Sequence, residues 1–341
     1  MTPCWRKRNG ARAAESGNLV SVDCVGSVEG GWRMPDQSQV NLMKRAANGY
    51  CDPLAWPTIF LISVVFPLYF LTPVAVVMGL MPAVVGMVLM AFLTYAVYTA
   101  LHEAVHGAVC GGQQKNRWVN EWVGYAAAIP SGIPMCAHRH EHFTHHNHTN
   151  KVGEDPDLVC ADMTTNLWRL IASPMLLTAQ QYKLFLRERW PTAHKELRRT
   201  FVLETSGIVL SRILLLIALF GPVATSAGVS TLSVGVDLLL ILVIGPLLGQ
   251  VILVYLFAYV VHRPHTVAGK FVDTSIFELP EALRGVGTWL WGFQNYHGIH
   301  HAFPRVPWYR YRAFFEAHRS ELFEQGMPTY QLSGLKWRRI N

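Results

Sequence analysis

Between Ala137 and Asn150 the chain reads A-H-R-H-E-H-F-T-H-H-N-H-T-N, placing His138, His140, His142, His145, His146 and His148 within a dozen residues. A buried histidine needs only one or two hydrogen-bond partners, and six cannot all be satisfied that way so close together. A solvated polar loop and an affinity tag are the plain alternatives. A tag is homopolymeric and terminal, and this run is neither. Within it, His142-x-x-His145-His146 has the i, i+3, i+4 spacing that stacks three imidazoles on one helix face. Imidazole is the commonest side-chain metal ligand and suits iron, copper, nickel and zinc. Metal binding is the chemistry indicated first.

Two more groups point the same way. His102-Glu-Ala-Val-His106-Gly has i, i+4 spacing, which puts both rings on one helix face. It also matches the H-E-x-x-H string of zinc proteases, in which the Glu is a base and a third ligand completes one zinc. Too many further histidines remain for that reading, so the match is coincidental. His297-x-x-His300-His301 repeats the spacing of the central run. The candidate ligands are thus His102, His106, His142, His145, His146, His297, His300 and His301. One zinc takes three or four ligands, so these imidazoles, gathered together, imply two metal ions.

The elements that must gather them are membrane spans. Of 341 residues, 51% are hydrophobic and only 15% charged, against about 25% charged in a typical soluble domain. A span needs ~20 apolar residues. Pro57–Met78 and Ala83–Leu101 form one pair of spans, joined near Gly79–Pro82. Gly207–Phe220 and Val236–Val261 form a second pair, broken between Gly221-Pro222 and Gly235, with a kink expected at Gly245-Pro246. Lys and Arg lie in the N-terminal stretch, the middle loop (Lys115 to Arg199) and the C-terminal region (Arg263 to Arg339), and both short connections have none. Positive loops stay cytoplasmic, so both termini and every histidine group are expected there. The formal charge of +7 is not matched by any nucleic-acid-binding motif, and no nucleic acid is expected. The six cysteines contain no C-x-x-C pair and read as reduced thiols.

The fold class expected is all-α: four transmembrane helices with a cytosolic helical cap. Residues 1–52 read as a disordered tail, 53–330 as the membrane domain and 331–341 as a C-terminal tail. The N-terminal stretch has no apolar signal-peptide core. Met34 opens a plainer start than Met1, and the stretch before it reads as upstream sequence. Asn166–Trp190 and Trp308–Phe323 mix apolar with basic residues, and each is expected either along the headgroups or as an ordinary amphipathic helix of the cap.

The three groups together, L-H-E-A-V-H-G at Leu101–Gly107, H-F-T-H-H-N-H-T-N at His142–Asn150 and N-Y-H-G-I-H-H-A-F-P at Asn295–Pro304, resemble the membrane fatty acid desaturase superfamily, which includes related hydroxylases and carotenoid-modifying oxygenases. The resemblance runs from about Pro57 to Tyr311. It implies an O2-dependent enzyme with two Fe ions, a lipid or lipid-like substrate, and a separate electron donor, a ferredoxin or a cytochrome b5-like protein. No cytochrome b5-like H-P-G-G and no G-x-G-x-x-G after a strand is fused here. It also implies a ninth ligand from the end of the last span, for which His262 is placed best and His265 competes.

Other polar residues have two readings each. His138, His140 and His148 fall outside the repeated unit and are left out of the ligand set. Glu154-Asp155-Pro156-Asp157 either orients ligand imidazoles or forms a Pro-set turn capping the next helix. Asn295 and Tyr296 bond inward or simply pack. Trp118, Trp122 and Trp289 read as interface anchors. The leading activity is desaturation of a fatty acyl chain. Hydroxylation or ketone formation on a carotenoid or acyl chain is the alternative, since Asp155-Pro156-Asp157 and Pro307-Trp308-Tyr309 also resemble carotenoid hydroxylases of this superfamily. A non-catalytic metal carrier or transporter would need ionisable residues at mid-span, and the spans are nearly bare.

Overall fold

A computed structural model describes residues 37–228, 230–333 and 336–341; Cys4, Cys24, Met34 and most of the N-terminal tail lie outside them. A helix α1 (Gln37–Asn48) precedes α2 (Trp56–Val77) and α3 (Ala83–His106). Next come α4 (Arg117–Ser131), α5 (Met135–His148) and α6 (Leu167–Leu184). Two long helices, α7 (Lys195–Ala227) and α8 (Leu232–His262), complete with α2 and α3 a set of four among the described residues that are long and apolar enough to cross a membrane. The expected four-span architecture is therefore present.

The span α3 is the centre of the bundle. Its apolar window is 56% buried, against 17–33% for the other three, which keep more of their surface for lipid. Its 24 residues rise about 36 Å at ~1.5 Å per residue, more than the ~30 Å hydrocarbon layer. The last turns, carrying His102 and His106, therefore project beyond the apolar zone. Gly107 ends the helix in the left-handed conformation at φ 71°, which glycine adopts without a Cβ penalty. Small residues let α8 approach α3 closely: a Cβ on Gly249 would stand 2.2 Å from the Ala91 carbonyl oxygen, and one on Gly245 2.6 Å from that of Met87. Close packing through small residues is how helices associate where no hydrophobic drive exists.

The third span is longer than its sequence suggests. It runs through Gly221-Pro222 as a five-residue π stretch, Leu219–Val223, and ends at Ala227, so Gly221 does not open the connection. A π turn absorbs a proline whose missing N–H would break a regular α-helix. The same device, Leu240–Ile244, precedes Gly245-Pro246 in α8. Within the third span Arg212 donates to the carbonyls of Ile129 at 3.0 Å and Pro130 at 3.3 Å. A guanidinium in a span is thereby matched to the negative end of α4.

The remaining helices are α9 (Glu281–Leu290), α10 (His297–Ala302), α11 (Tyr311–Ala317) and α12 (Arg319–Glu324). They form a cap whose core joins Tyr296, Ile299, Phe314, Phe315 and Leu322 with Val40, Met43 and Ala47 of α1. Residues 37–48 are therefore helical and packed, not a disordered tail; their apolar 40, 43, 47 spacing gives one buried face. The Trp308–Phe323 segment is likewise buried in this core, and Trp308 Nε1 donates to Thr58 Oγ1 at the base of α2 at 3.0 Å. It is no headgroup helix. By contrast α6 exposes Leu167, Trp168 and Met175, and α9 exposes Leu283, Val286 and Trp289, as interfacial helices do. Trp118 and Trp122 are exposed too.

One small sheet interrupts the helical fold. β1 (Ile276–Glu278) pairs in parallel with β2 (Thr329–Ser333), Ile276 opposite Thr329, and β2 pairs antiparallel with β3 (Lys336–Arg339). The expected C-terminal tail, 331–341, therefore carries most of a hairpin. Strands this short have no periodicity to read in sequence.

Candidate metal centre

Two groups of imidazoles meet where α3, α5, α8 and α10 converge. His102, His106, His142 and His300 form one, His145, His262 and His301 the other, with the ligand atoms of each group within 4.8 Å of one another. Nε2 of His145 lies 3.1 Å from Nε2 of His262, which lies 3.2 Å from that of His301. His146 and His297, also expected as ligands, fall outside both tight groups but adjoin them. Nε2 of His146 is 3.1 Å from His142 and 2.9 Å from His300, and its ring stacks on His301 with centroids 4.2 Å apart. The His297 ring is 4.7 Å from His301 and 4.9 Å from His262.

The arrangement follows from local structure. α5 carries His142, His145 and His146 on adjoining faces, so one helix serves both groups. α10 does the same with His300 and His301. Of the two competitors at the end of the last span, His262 joins a group; His265 sits against the Tyr259 ring at 5.3 Å and belongs to neither. His140 lies 3.8 Å from Glu188 and His148 2.6 Å from Glu154, away from the centre. His138 is buried beside His142, with Nδ1 3.5 Å from Glu141.

These residues fit a metal pair on two physical grounds. Both nitrogens of His102, Nε2 of His106 and Nδ1 of His262 are buried without a protein partner, a costly state unless something else takes their lone pairs. The His146 Nε2, facing two other Nε2 atoms, cannot satisfy both with at most one proton. An all-imidazole donor set suits iron, copper, nickel or zinc and not calcium or magnesium.

Outer partners orient three of the rings. Asp155 Oδ1 is 2.8 Å from His145 Nδ1, Tyr311 Oη 3.0 Å from His300 Nδ1, and Gln294 Oε1 2.6 Å from His297 Nδ1. Each leaves Nε2 free, the arrangement metal-bound histidines use. Asp155 also accepts from the backbone N–H groups of Asn150 and Asp157, so both expected roles of this acidic turn, orienter and cap, are filled by one carboxylate. Asn295 and Tyr296 do not reach the histidines: Asn295 donates to the Phe277 carbonyl at 2.9 Å, and Tyr296 packs on Phe315. Gln294 was missed by sequence reasoning although its i, i+3 spacing to His297 was a usable signal. Tyr311, eleven residues beyond His300, offered none.

Burial sets the protonation states. It holds His142, His146, His300 and His301 well below the usual histidine range, with neighbouring imidazoles adding to the effect, and takes His297 down to about 3. Five neutral rings are thereby available as ligands. Burial also opposes a proton on His145, but Asp157 and Asp155 override it and raise the group to about 9.

Beside the centre, α3, α6 and α8 line a partly open chamber. His102, His142, His145, His262 and His297 form one end of its wall, and Leu177, Leu253, Val254 and Phe257 are among its apolar sides. A lining that is mainly apolar with a few polar groups is that of a small-molecule pocket.

No curated protein matches this chain. A family model described as fatty acid desaturase matches residues 77–333, a stretch that contains all three histidine groups, His262 and the last three spans. With four span-length helices and the gathered histidines behind that match, the chain belongs to the fatty acid desaturase family.

Proposed function

We propose that the chain is an oxygen-dependent oxidoreductase that holds two iron ions in the histidine cluster and introduces a double bond into a fatty acyl chain of a membrane lipid. The observation carrying this reading is the pair of imidazole groups that share α5 and α10 and open onto an apolar chamber. His102, His106, His142, His146 and His300 would hold one ion, and His145, His262, His297 and His301 the other. An iron pair bound there would supply O2 activation for breaking an unactivated C–H bond, which redox-silent zinc cannot do.

The side chains supply position. Leu177, Val254 and Phe257 would bind the alkyl chain along the chamber and exclude water from it. Asp155, Gln294 and Tyr311 hold the rings with Nε2 inward. Two hydrogens leave adjacent carbons, and with two electrons and two protons from outside they reduce O2 to two waters. The electrons come from a separate donor, a ferredoxin or cytochrome b5-like protein; an acidic one would complement a chain of net charge +7. The distribution of Lys and Arg supports cytoplasmic termini and a cytoplasmic metal centre.

Hydroxylation of a carotenoid or acyl chain is the second reading, favoured by Thr94, Thr178 and Gln181 in the chamber wall, polar groups that a saturated chain does not need. The test is metal analysis of the purified active protein together with lipid and pigment profiles of a host expressing it, in air and under argon. New acyl double bonds that require O2 and iron support the proposal. Oxygenated pigments support the second reading. Unchanged profiles despite bound metal, or activity without iron or O2, would refute both.

A further inference from the structure

Several polar atoms in the chamber wall have no hydrogen-bond partner among the described residues. Thr94, 4% exposed, lines the chamber with its hydroxyl unpaired, and Gln181, only 2% exposed, lines it beside His138 with its Oε1 in no close hydrogen bond. Many hydroxyls in the spans bond back to their own helix, among them Ser63 to Ile59, Thr72 to Leu68, Ser211 to Ile208 and Thr225 to Gly221. Thr94 forgoes that bond. Gln250, half-buried in the last span, and Thr178 add two more polar groups to the same wall. A cavity for a plain hydrocarbon gains nothing from these side chains and loses free energy by desolvating them.

Their position is as informative as their chemistry. Thr94 precedes His102 by eight residues of one helix, a rise of roughly 12 Å. The unpaired hydroxyl therefore stands well up the span from the histidines, where the chamber extends toward the apolar interior of the bundle. A substrate seated against the histidines meets it with a part of its chain remote from the reacting carbons.

We infer that the chamber takes a lipid carrying an oxygen function, a hydroxyl or carbonyl, on the part that enters the membrane, with Thr94 and Gln181 as its hydrogen-bonding partners. This rests on reading the chamber as the substrate site and specifies the substrate class within that reading. Thr94 offers a donor and an acceptor and Gln181 an acceptor, so a hydroxyl can bond to either while a ketone can bond to Thr94. Two sources share this chemistry, a hydroxylated acyl chain and an oxygenated isoprenoid. A site that has desolvated its polar groups discriminates against the analogue lacking the matching group, because those groups are then left unpaired.

The test is binding to the full-length, iron-loaded protein in lipid nanodiscs, under argon and without reductant so that no turnover occurs. Probes are paired: stearic acid against hydroxystearic acid, and β-carotene against its dihydroxy form, zeaxanthin. The oxygenated member of one pair should bind at least tenfold more tightly, and the pair that shows it identifies the source. Thr94→Val and Gln181→Leu should each reduce that preference severalfold and together abolish it, with iron content unchanged, while Thr225→Val should leave it intact. Equal affinities within both pairs, a preference that survives the double substitution, or no binding by any probe would overturn the inference. Failure of the desaturation reading would appear instead in the products formed in air.

Discussion

The Asp155 carboxylate lies 2.8 Å from Nδ1 of His145, whose other nitrogen lies 3.1 Å from Nε2 of His262. One ring thus connects an acidic turn after α5 to the end of the last span. Asp155→Asn keeps the side chain's size but removes the charge that favours the Nδ1 proton. Loss of such a partner lowers metal affinity about 10–100-fold. In a chelator titration of the metal-loaded protein the variant should release metal at correspondingly lower chelator. Retention equal to wild type would show that His145 needs no orienting group.

Tyr311 tests the other group. Its hydroxyl is 3.0 Å from His300 Nδ1 and 3.5 Å from Glu103 Oε1. Tyr311→Phe preserves the fully buried ring and deletes only those contacts. Metal affinity should fall roughly tenfold, with thermal stability changed by only about 1 kcal/mol. An unchanged chelator titration would remove Tyr311 from the centre.

His262 and His265 are three residues apart, and only the first faces other imidazoles. His262→Ala should lower the metal bound per chain and abolish turnover. His265→Ala should keep the wild-type metal content. The reverse result would exchange their roles.

Acid should loosen the metal-free protein. Burial takes His297 down to about 3 and puts His142, His146, His300 and His301 well below their usual range. In an unfolded chain these rings titrate near ~6.5. Below that pH the unfolded chain binds protons that the fold refuses, so stability falls as pH drops from ~6.5, levelling for His297 near 3. His145 has the opposite sign: raised to about 9, it contributes stability below ~6.5 that is lost as pH rises through 9. Five rings outweigh one. The melting midpoint in detergent should be lower at pH 5.5 than at pH 7.5; a higher one would mean these rings are solvated.

Gly249 tests the helix contact beneath the centre. A Cβ there meets the Ala91 carbonyl oxygen at 2.2 Å, whereas one on Gly235 meets nothing within 4 Å. Gly249→Ala should destabilise the protein by about 1–3 kcal/mol and shift His262, at the end of the same span, enough to reduce metal loading. Gly235→Ala should be neutral or slightly stabilising. Equal melting temperatures for the two variants would show that α8 does not depend on this approach.

Much of this protein is legible in its linear order. Helical spacing alone places His142, His145 and His146 on one helix, and apolar runs of the right length set the four spans. Those are local properties, governed by the 3.6-residue turn and the thickness of a bilayer. Three features depend on distant contacts and could not be read. Tyr311 reaches His300 only because the cap folds its core against α1, whose short apolar face of Val40, Met43 and Ala47 was mistaken for tail. Which histidines form each group was decided by the convergence of α3, α5, α8 and α10, not by order along the chain. The unpaired Thr94 and Gln181 became visible only when α3 and α6 closed on one cavity, because a polar side chain's partners are set by packing and not by its neighbours in sequence.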